Sequence, residues 1–186
     1  MQTEHGKVLL PIARAEISRV LGVPEAADES APWLVEHGAC FVTLTQDGEL
    51  RGCIGTLQAH RSLLTDVKSN AVSAALHDPR FIPLSVEELD ITTVEISLLS
   101  PTTVMEVRDE ADALAQIRPG VDGIVFEYGS YRSTFLPQVW EHFQQPREFL
   151  AMLKRKAGLP DDFWADEIKL ARYGVTKWRE ADLAKH

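Results

Sequence analysis

The chain has 186 residues, enough for one well-buried core or for two lobes sharing one. Its 45% hydrophobic and 25% charged content is that of a globular protein, and no apolar run approaches the roughly 20 residues of a membrane helix. A net charge of −9 argues against a general affinity for nucleic acid or anionic membrane, and two cysteines are too few for a disulfide framework or a four-cysteine zinc site. The polar stretch Met1 to Lys7 has no secretory character, so a reduced, cytoplasmic setting is expected.

A helix is predicted within residues 5–21, with Ile12, Ala13, Ile17, Val20 and Leu21 on one side and Pro11 either in its first turn or kinking it. Residues 22–32 read as a loop. Cys40 to Thr45 and Glu49 to Leu57 are strand-like runs around Asp47-Gly48, a hairpin turn signal. A two-residue loop pairs Thr43 with Gly52, Val42 with Cys53 and Cys40 with Gly55. Cys40, Val42, Leu44, Arg51 and Cys53 then share a face, unless a bulge at Gly52 breaks the register. Both faces are apolar enough to be covered.

Ser62 caps a helix to about His77, and its Ala71, Ala74 and Ala75 permit close packing on a sheet. Ser85 to Glu88 fits a capping box, and Ile91 to Leu99 alternates as a half-buried strand. Asp109 to Ile117 reads as a helix. Gly123 to Tyr128 and Tyr131 to Leu136 form a second hairpin around Gly129-Ser130. Pro146 to Ala157 is a helix stopped by Gly158, with Lys154-Arg155-Lys156 as its solvated basic end, and Glu167 to Trp178 is an extended run. Without regular strand–helix alternation, the class is α+β: a mainly antiparallel sheet with flanking helices.

The chemistry concentrates in Arg51-Gly52-Cys53-Ile54-Gly55. Residues two apart on a strand share a face, and a neighbouring arginine favours the reactive thiolate of a cysteine. The bland reading makes Cys53 a small core residue and pairs Arg51 with an internal carboxylate such as Asp78 or Glu95. Cys40 is a resolving thiol or core packing. In His77-Asp78-Pro79-Arg80-Phe81, either Asp78 and Arg80 pair to shape a corner, or Arg80 and His77 serve as anion binder and proton carrier. His60 and His77 bracket the helix after the cysteine strand and are the candidate proton carriers for Cys53. Glu95 reads as a solvated or paired strand position or an acid, and Gln138 as a cap or a ligand contact. The six histidines (His5, His37, His60, His77, His142 and His186) show no metal-binding spacing, and phosphate-loop and nucleotide fingerprints are absent. No metal or cofactor is expected.

The chain resembles the AMMECR family. The resemblance runs through Phe41-Val42-Thr43-Leu44, Leu50 to Thr56, Asp78-Pro79-Arg80-Phe81, Leu98-Leu99-Ser100-Pro101, Ile117-Arg118-Pro119-Gly120 with Asp122-Gly123, Leu136-Pro137-Gln138-Val139, and Phe149 through Leu159. Cys40, Trp140 and His142 are departures. Bacterial and archaeal members are called protein A of the AmmeMemoRadiSam system. The resemblance implies an α+β fold in two unequal lobes with a cleft between them, and as neighbours a Memo-like protein and a radical S-adenosylmethionine enzyme. It implies no settled activity. The expectation is a small-anion-binding protein acting through Cys53, with Arg51 and Arg80 as anion contacts; the alternative is a non-enzymatic partner or scaffold.

Overall fold

The structure is a computed structural model that describes residues 2–183, so His186 lies outside it. In chain order the elements are α1 (Gln2–Val20), β1 (Cys40–Gln46), β2 (Glu49–Gly55), α2 (Leu63–Leu76), β3 (Thr93–Leu99), β4 (Thr103–Met105), α3 (Glu110–Gln116), β5 (Gly123–Tyr128), β6 (Tyr131–Phe135), α4 (Pro146–Ala157), β7 (Lys169–Tyr173), β8 (Val175–Arg179) and α5 (Glu180–Leu183). Short 3-10 turns cover Pro32–Val35, Val86–Ile91 and Pro137–His142. The class is α+β: two four-stranded sheets built from antiparallel pairs, ordered β2-β1-β3-β8 and β4-β7-β5-β6. The chain divides into two compact units, the second formed by Ser100–Val175 and the first by the residues on either side of it.

In the first unit, α1 and α2 bury one face of the first sheet. Leu9, Ile12, Ala13 and Ile17 of α1 and Val67, Ala71 and Ala74 of α2 meet Val42 and Leu44 of β1, Val94 and Ile96 of β3, and Trp178 of β8. Pro11 lies well inside α1, not in its first turn; without an N–H it leaves the Lys7 carbonyl without its helical donor. Ser62 caps α2 by accepting from the Thr65 amide at 3.2 Å. The small residues of α2 bring its backbone onto β2: a Cβ on Gly52 would lie 2.2 Å from the Ala74 carbonyl oxygen.

In the second unit, α3 and α4 cover the second sheet around Ile124, Phe126, Phe149, Leu150, Leu153 and Leu170. Trp140 stacks on Phe149 with ring centroids 4.0 Å apart and donates from its indole nitrogen to the Asp122 carbonyl at 2.8 Å. The hairpin Tyr128↔Tyr131 turns on Gly129 at φ 56°, and α4 ends on Gly158 at φ 98°. The basic helix end is not fully solvated. Lys154 is buried, donating to Glu110 Oε1 at 3.0 Å and to the Asp161 carbonyl at 3.1 Å. The extended run from Glu167 is two strands, not one: β7 belongs to the second sheet and β8 to the first, with Gly174 between them.

Candidate functional site on the first sheet

The β1–β2 hairpin turns as expected on Asp47 (φ 52°) and Gly48 (φ 80°), with Gln46 opposite Glu49 and Thr45 opposite Leu50. The register then shifts: Leu44 pairs with Gly52 and Thr43 with Cys53, so Arg51 is the extra residue of a bulge. This corrects the expected pairing of Val42 with Cys53. A one-residue slip exchanges the faces of a strand, so Cys53 leaves the side of Cys40, Val42 and Leu44 and joins that of Thr43. Thr43 Oγ1 lies 3.3 Å from Cys53 Sγ. The inner side of β1 is fully buried, while Thr43 and Cys53 on the other side are half-buried.

The row continues across the sheet. Thr43 sits opposite Glu95 of β3, and the Glu95 carboxylate pairs with Arg179 and, at 4.0 Å, with Lys177, two residues apart on β8. Cys53, Thr43, Glu95 and the two β8 cations therefore form one transverse line on the outer face. Glu95 is thus the salt-bridged strand position of the two readings offered by the sequence.

The backbone of Cys53 is held from the edge. β2 is an edge strand, whose outward amides and carbonyls need partners or water. Asp78 Oδ2 accepts the Cys53 N–H at 2.9 Å, and Arg80 Nη2 donates to the Cys53 carbonyl at 3.3 Å. Arg80 in turn grips Asp78 through Nε at 3.0 Å and Nη2 at 2.7 Å, and its own amide donates to Oδ1 at 3.0 Å. The buried Asp78 carboxyl is held well below the ordinary carboxylate range, first by the Arg80 guanidinium and then by the two amides. Arg80 stays half-exposed, 5.5 Å from the Phe81 ring centroid.

Arg51 pairs with neither Asp78 nor Glu95. Its Nη2 donates to Glu88 Oε2 at 3.0 Å, and its guanidinium carbon lies 5.9 Å from the centroid of the same Phe81 ring. Glu88 also accepts the Ser85 amide at 3.2 Å, so the capping residue of the 86–91 turn is also the counter-ion of the motif arginine. Gly55 faces Phe41 across the hairpin, and a Cβ there would lie 2.2 Å from that ring.

Cys40 is fully buried on the opposite face from Cys53. Its amide donates to Asp66 Oδ2 at 2.9 Å, while Asn70 donates to its carbonyl at 2.9 Å. Burial, and then the Asp66 charge, push its thiol pKa well up. Two cysteines on opposite faces of one hairpin cannot meet the geometry of a disulfide without rebuilding the strands. Asp66 itself is buried and fully used, accepting also from Thr56 Oγ1 at 2.7 Å and Arg61 Nε at 2.8 Å.

The structure brings together Cys53, Asp78 and Arg80, sets Arg51 beside Phe81, and links Glu95 to Cys53 through Thr43. Among the described residues, His60 and His77 make no hydrogen bond to Cys53; both are exposed, His60 with Nδ1 3.0 Å from the Gln58 carbonyl and His77 closing α2. Gln138 is exposed in the second unit and caps no backbone group among those residues. Thr43, Glu88, Lys177 and Arg179 were not singled out from the sequence. Thr43 and Lys177 follow from strand alternation once the bulge and the split of the last run are known. No cluster of three or more His, Cys, Asp or Glu side chains able to hold a metal occurs among the described residues, and no helix there is long and apolar enough to cross a membrane.

Residues 10–178 match the AMMECR1 family model. The chain is 39% identical over 184 residues to Protein MJ0810 of Methanocaldococcus jannaschii, covering 96% of this chain and 92% of that protein. It is also 39% identical to a Methanothermobacter thermautotrophicus protein, covering 97% and 96% of the two chains. The crystal structure of uncharacterized protein PH0010 from Pyrococcus horikoshii superposes with a TM-score of 0.76 at 34% identity, over 95% of this chain and 92% of that one. On sequence and on fold alike, the chain belongs to the AMMECR1 family.

Proposed function

We propose that the protein binds a small anionic molecule on the outer face of its first sheet and acts on it through the Cys53 thiol, alongside a Memo-like protein and a radical S-adenosylmethionine enzyme. One contrast carries this reading. Within Arg51-Gly52-Cys53-Ile54-Gly55, Arg51 is tied to Glu88, Gly52 lies under the α2 backbone, Ile54 packs on the first core and Gly55 lies under Phe41. Cys53 alone of the five neither pairs with an internal counter-ion, nor belongs to the first core, nor is a glycine under a close neighbour; its sulfur meets Thr43 Oγ1 at 3.3 Å. The residue is half-buried and its backbone is fixed on both polar groups by Asp78 and Arg80.

A nucleophile held this way keeps one position without needing its own side chain for support. Arg80 retains an outward-facing guanidinium edge for an anion, and Lys177 and Arg179 supply cations further along the row. Asp78 is a positioning residue. His60 and His77 make no bond to the thiol, and we assign neither a step.

The test is alkylation of the native protein with iodoacetamide, read by mass spectrometry, with Cys40 as internal control. Cys53 is expected to react in the folded protein and Cys40 only after unfolding. Cys53→Ser is then expected to abolish turnover in an assay coupled to the radical enzyme while leaving the thermal transition in place. If Cys53 resists until the protein unfolds, the thiol is packing. A stable complex with the neighbour proteins, indifferent to Cys53→Ala, would then favour the non-enzymatic partner.

A further inference from the structure

The second sheet carries a groove of 480 Å³, lined entirely from the second unit. Its origin lies in the sequence. Ala171 of β7 stands opposite Val104 of β4 on one side and Val125 of β5 on the other. A methyl between two β-branched side chains in one cross-strand row leaves a trough with apolar walls. This row points away from the core formed by Ile124, Phe126 and Leu170, as strand alternation requires.

The next row along the same face is charged. Glu127 stands opposite both Lys169 and Arg132, and it pairs with Arg132 at 3.1 Å. That leaves Lys169. Glu106 follows Met105, whose partner is Leu170, so Glu106 comes out of β4 beside Lys169. The Gln116 side chain holds the Glu106 carbonyl at 2.9 Å and fixes the backbone there. Both side chains line the groove, both are exposed, and neither joins an ion pair among the described residues. An apolar trough thus ends in one carboxylate just past β4 and one ammonium on β7, neither in an ion pair among the described residues.

We infer that this groove binds a small zwitterion with an apolar body, the chemistry of a hydrophobic amino acid. The side chain lies over Ala171 between the two valines, the carboxylate meets Lys169 and the ammonium meets Glu106. The volume falls in the roughly 300–1,000 Å³ range of small-molecule sites. A ligand bearing only one charge leaves the other rim group unanswered, so the site discriminates by charge pattern as well as by shape. The inference is independent of the Cys53 reading, because every residue it uses lies in the other unit.

The experiment is calorimetric titration of the full chain with L-leucine, L-methionine and L-phenylalanine as probes, against leucinamide, which lacks the carboxylate, and 4-methylpentanoate, which lacks the ammonium. At least one amino acid is expected to bind saturably, with the two analogues weaker by about tenfold. Lys169→Gln is expected to weaken the amino acid about tenfold while leaving leucinamide unchanged. Ala171→Phe, which fills the trough, is expected to remove binding. Should Ala171→Phe fail to fold, the exposed Lys169→Gln exchange decides alone. No saturable binding by any of the three, binding of the analogues as tight as that of the amino acid, or indifference to Lys169→Gln would overturn the assignment.

Discussion

At the scale of single residues, Gly52 and Gly55 of one strand are closed off by different kinds of neighbour. A methyl at Gly52 meets a helix carbonyl, which cannot move without shifting α2, whereas a methyl at Gly55 meets the root of the Phe41 ring, which clears it only if that half-buried side chain changes its χ1 rotamer. Gly52→Ala is therefore expected to destabilise by about 3 kcal/mol and Gly55→Ala by about 1 kcal/mol, read from urea midpoints; equal losses would mean that the helix gives way as readily as the ring. Lys154 offers a second comparison. Its ammonium is buried against Glu110, which is itself partly exposed. Lys154→Met keeps the volume and removes the desolvation cost, so its effect should stay within about 1 kcal/mol, while Glu110→Ala strands the buried cation and should cost about 3 kcal/mol. A larger loss in Lys154→Met than in Glu110→Ala would reverse that account.

At the scale of elements, the Asp78-Pro79-Arg80 segment acts as a substitute strand. It supplies the edge of β2 with one acceptor and one donor at Cys53, the two groups that a further strand would have satisfied. The Asp78 pKa is lowered in the folded protein, so its contribution to stability is complete above the unfolded carboxyl value of about 3.9 and is lost as pH falls through the lower folded value. The stability gap between wild type and Asp78→Asn should thus be constant from neutral pH to about pH 5 and narrow below about pH 4. A gap independent of pH down to acid unfolding would mean that the interaction does not depend on the charge.

Much at this scale is legible in the sequence. Asp47-Gly48, Gly129-Ser130 and the Pro146-to-Gly158 frame act through local backbone preferences, and the structure places them where those preferences say. The bulge at Arg51 is different in kind, since it is stabilised by Glu88 and Ala74, which are 37 and 22 residues away (88 − 51 and 74 − 52). A single slip there moved Cys53 to the other face, and with it the whole identity of the site. The division of the last extended run was equally hidden, because Gly174 looks like any strand glycine until two sheets compete for its flanks.

At the scale of the molecule, the two units have unequal claims to independence. The second is one continuous segment with its own core around Phe126, Phe149 and Leu153. The first needs both ends of the chain: Trp178 belongs to its core, and Glu180 accepts from Arg14 Nη2 at 2.8 Å and from the Val94 amide at 2.8 Å. A fragment of residues 100–175 is expected to melt cooperatively, and one ending at residue 99 to lack a cooperative transition until a peptide from residue 174 onward is added. Circular dichroism melts of the two fragments decide it; a cooperative melt of the 1–99 fragment alone would count against the completing role of β8.

The place where the chain leaves and re-enters the first unit has a consequence for its redesign. The Ser100 amide donates to the Gly174 carbonyl at 2.9 Å, and the Gly174 amide returns to Ser100 Oγ at 2.8 Å, directly beyond the adjacent strands β3 and β8. The excursion between them begins and finishes at one spot. Seventy-odd residues are thus bracketed like a parenthesis, and a short turn in their place would rejoin β3 to β8 as an ordinary hairpin. The same junction would accept a foreign module whose own termini lie side by side, making the first unit a natural host for grafting.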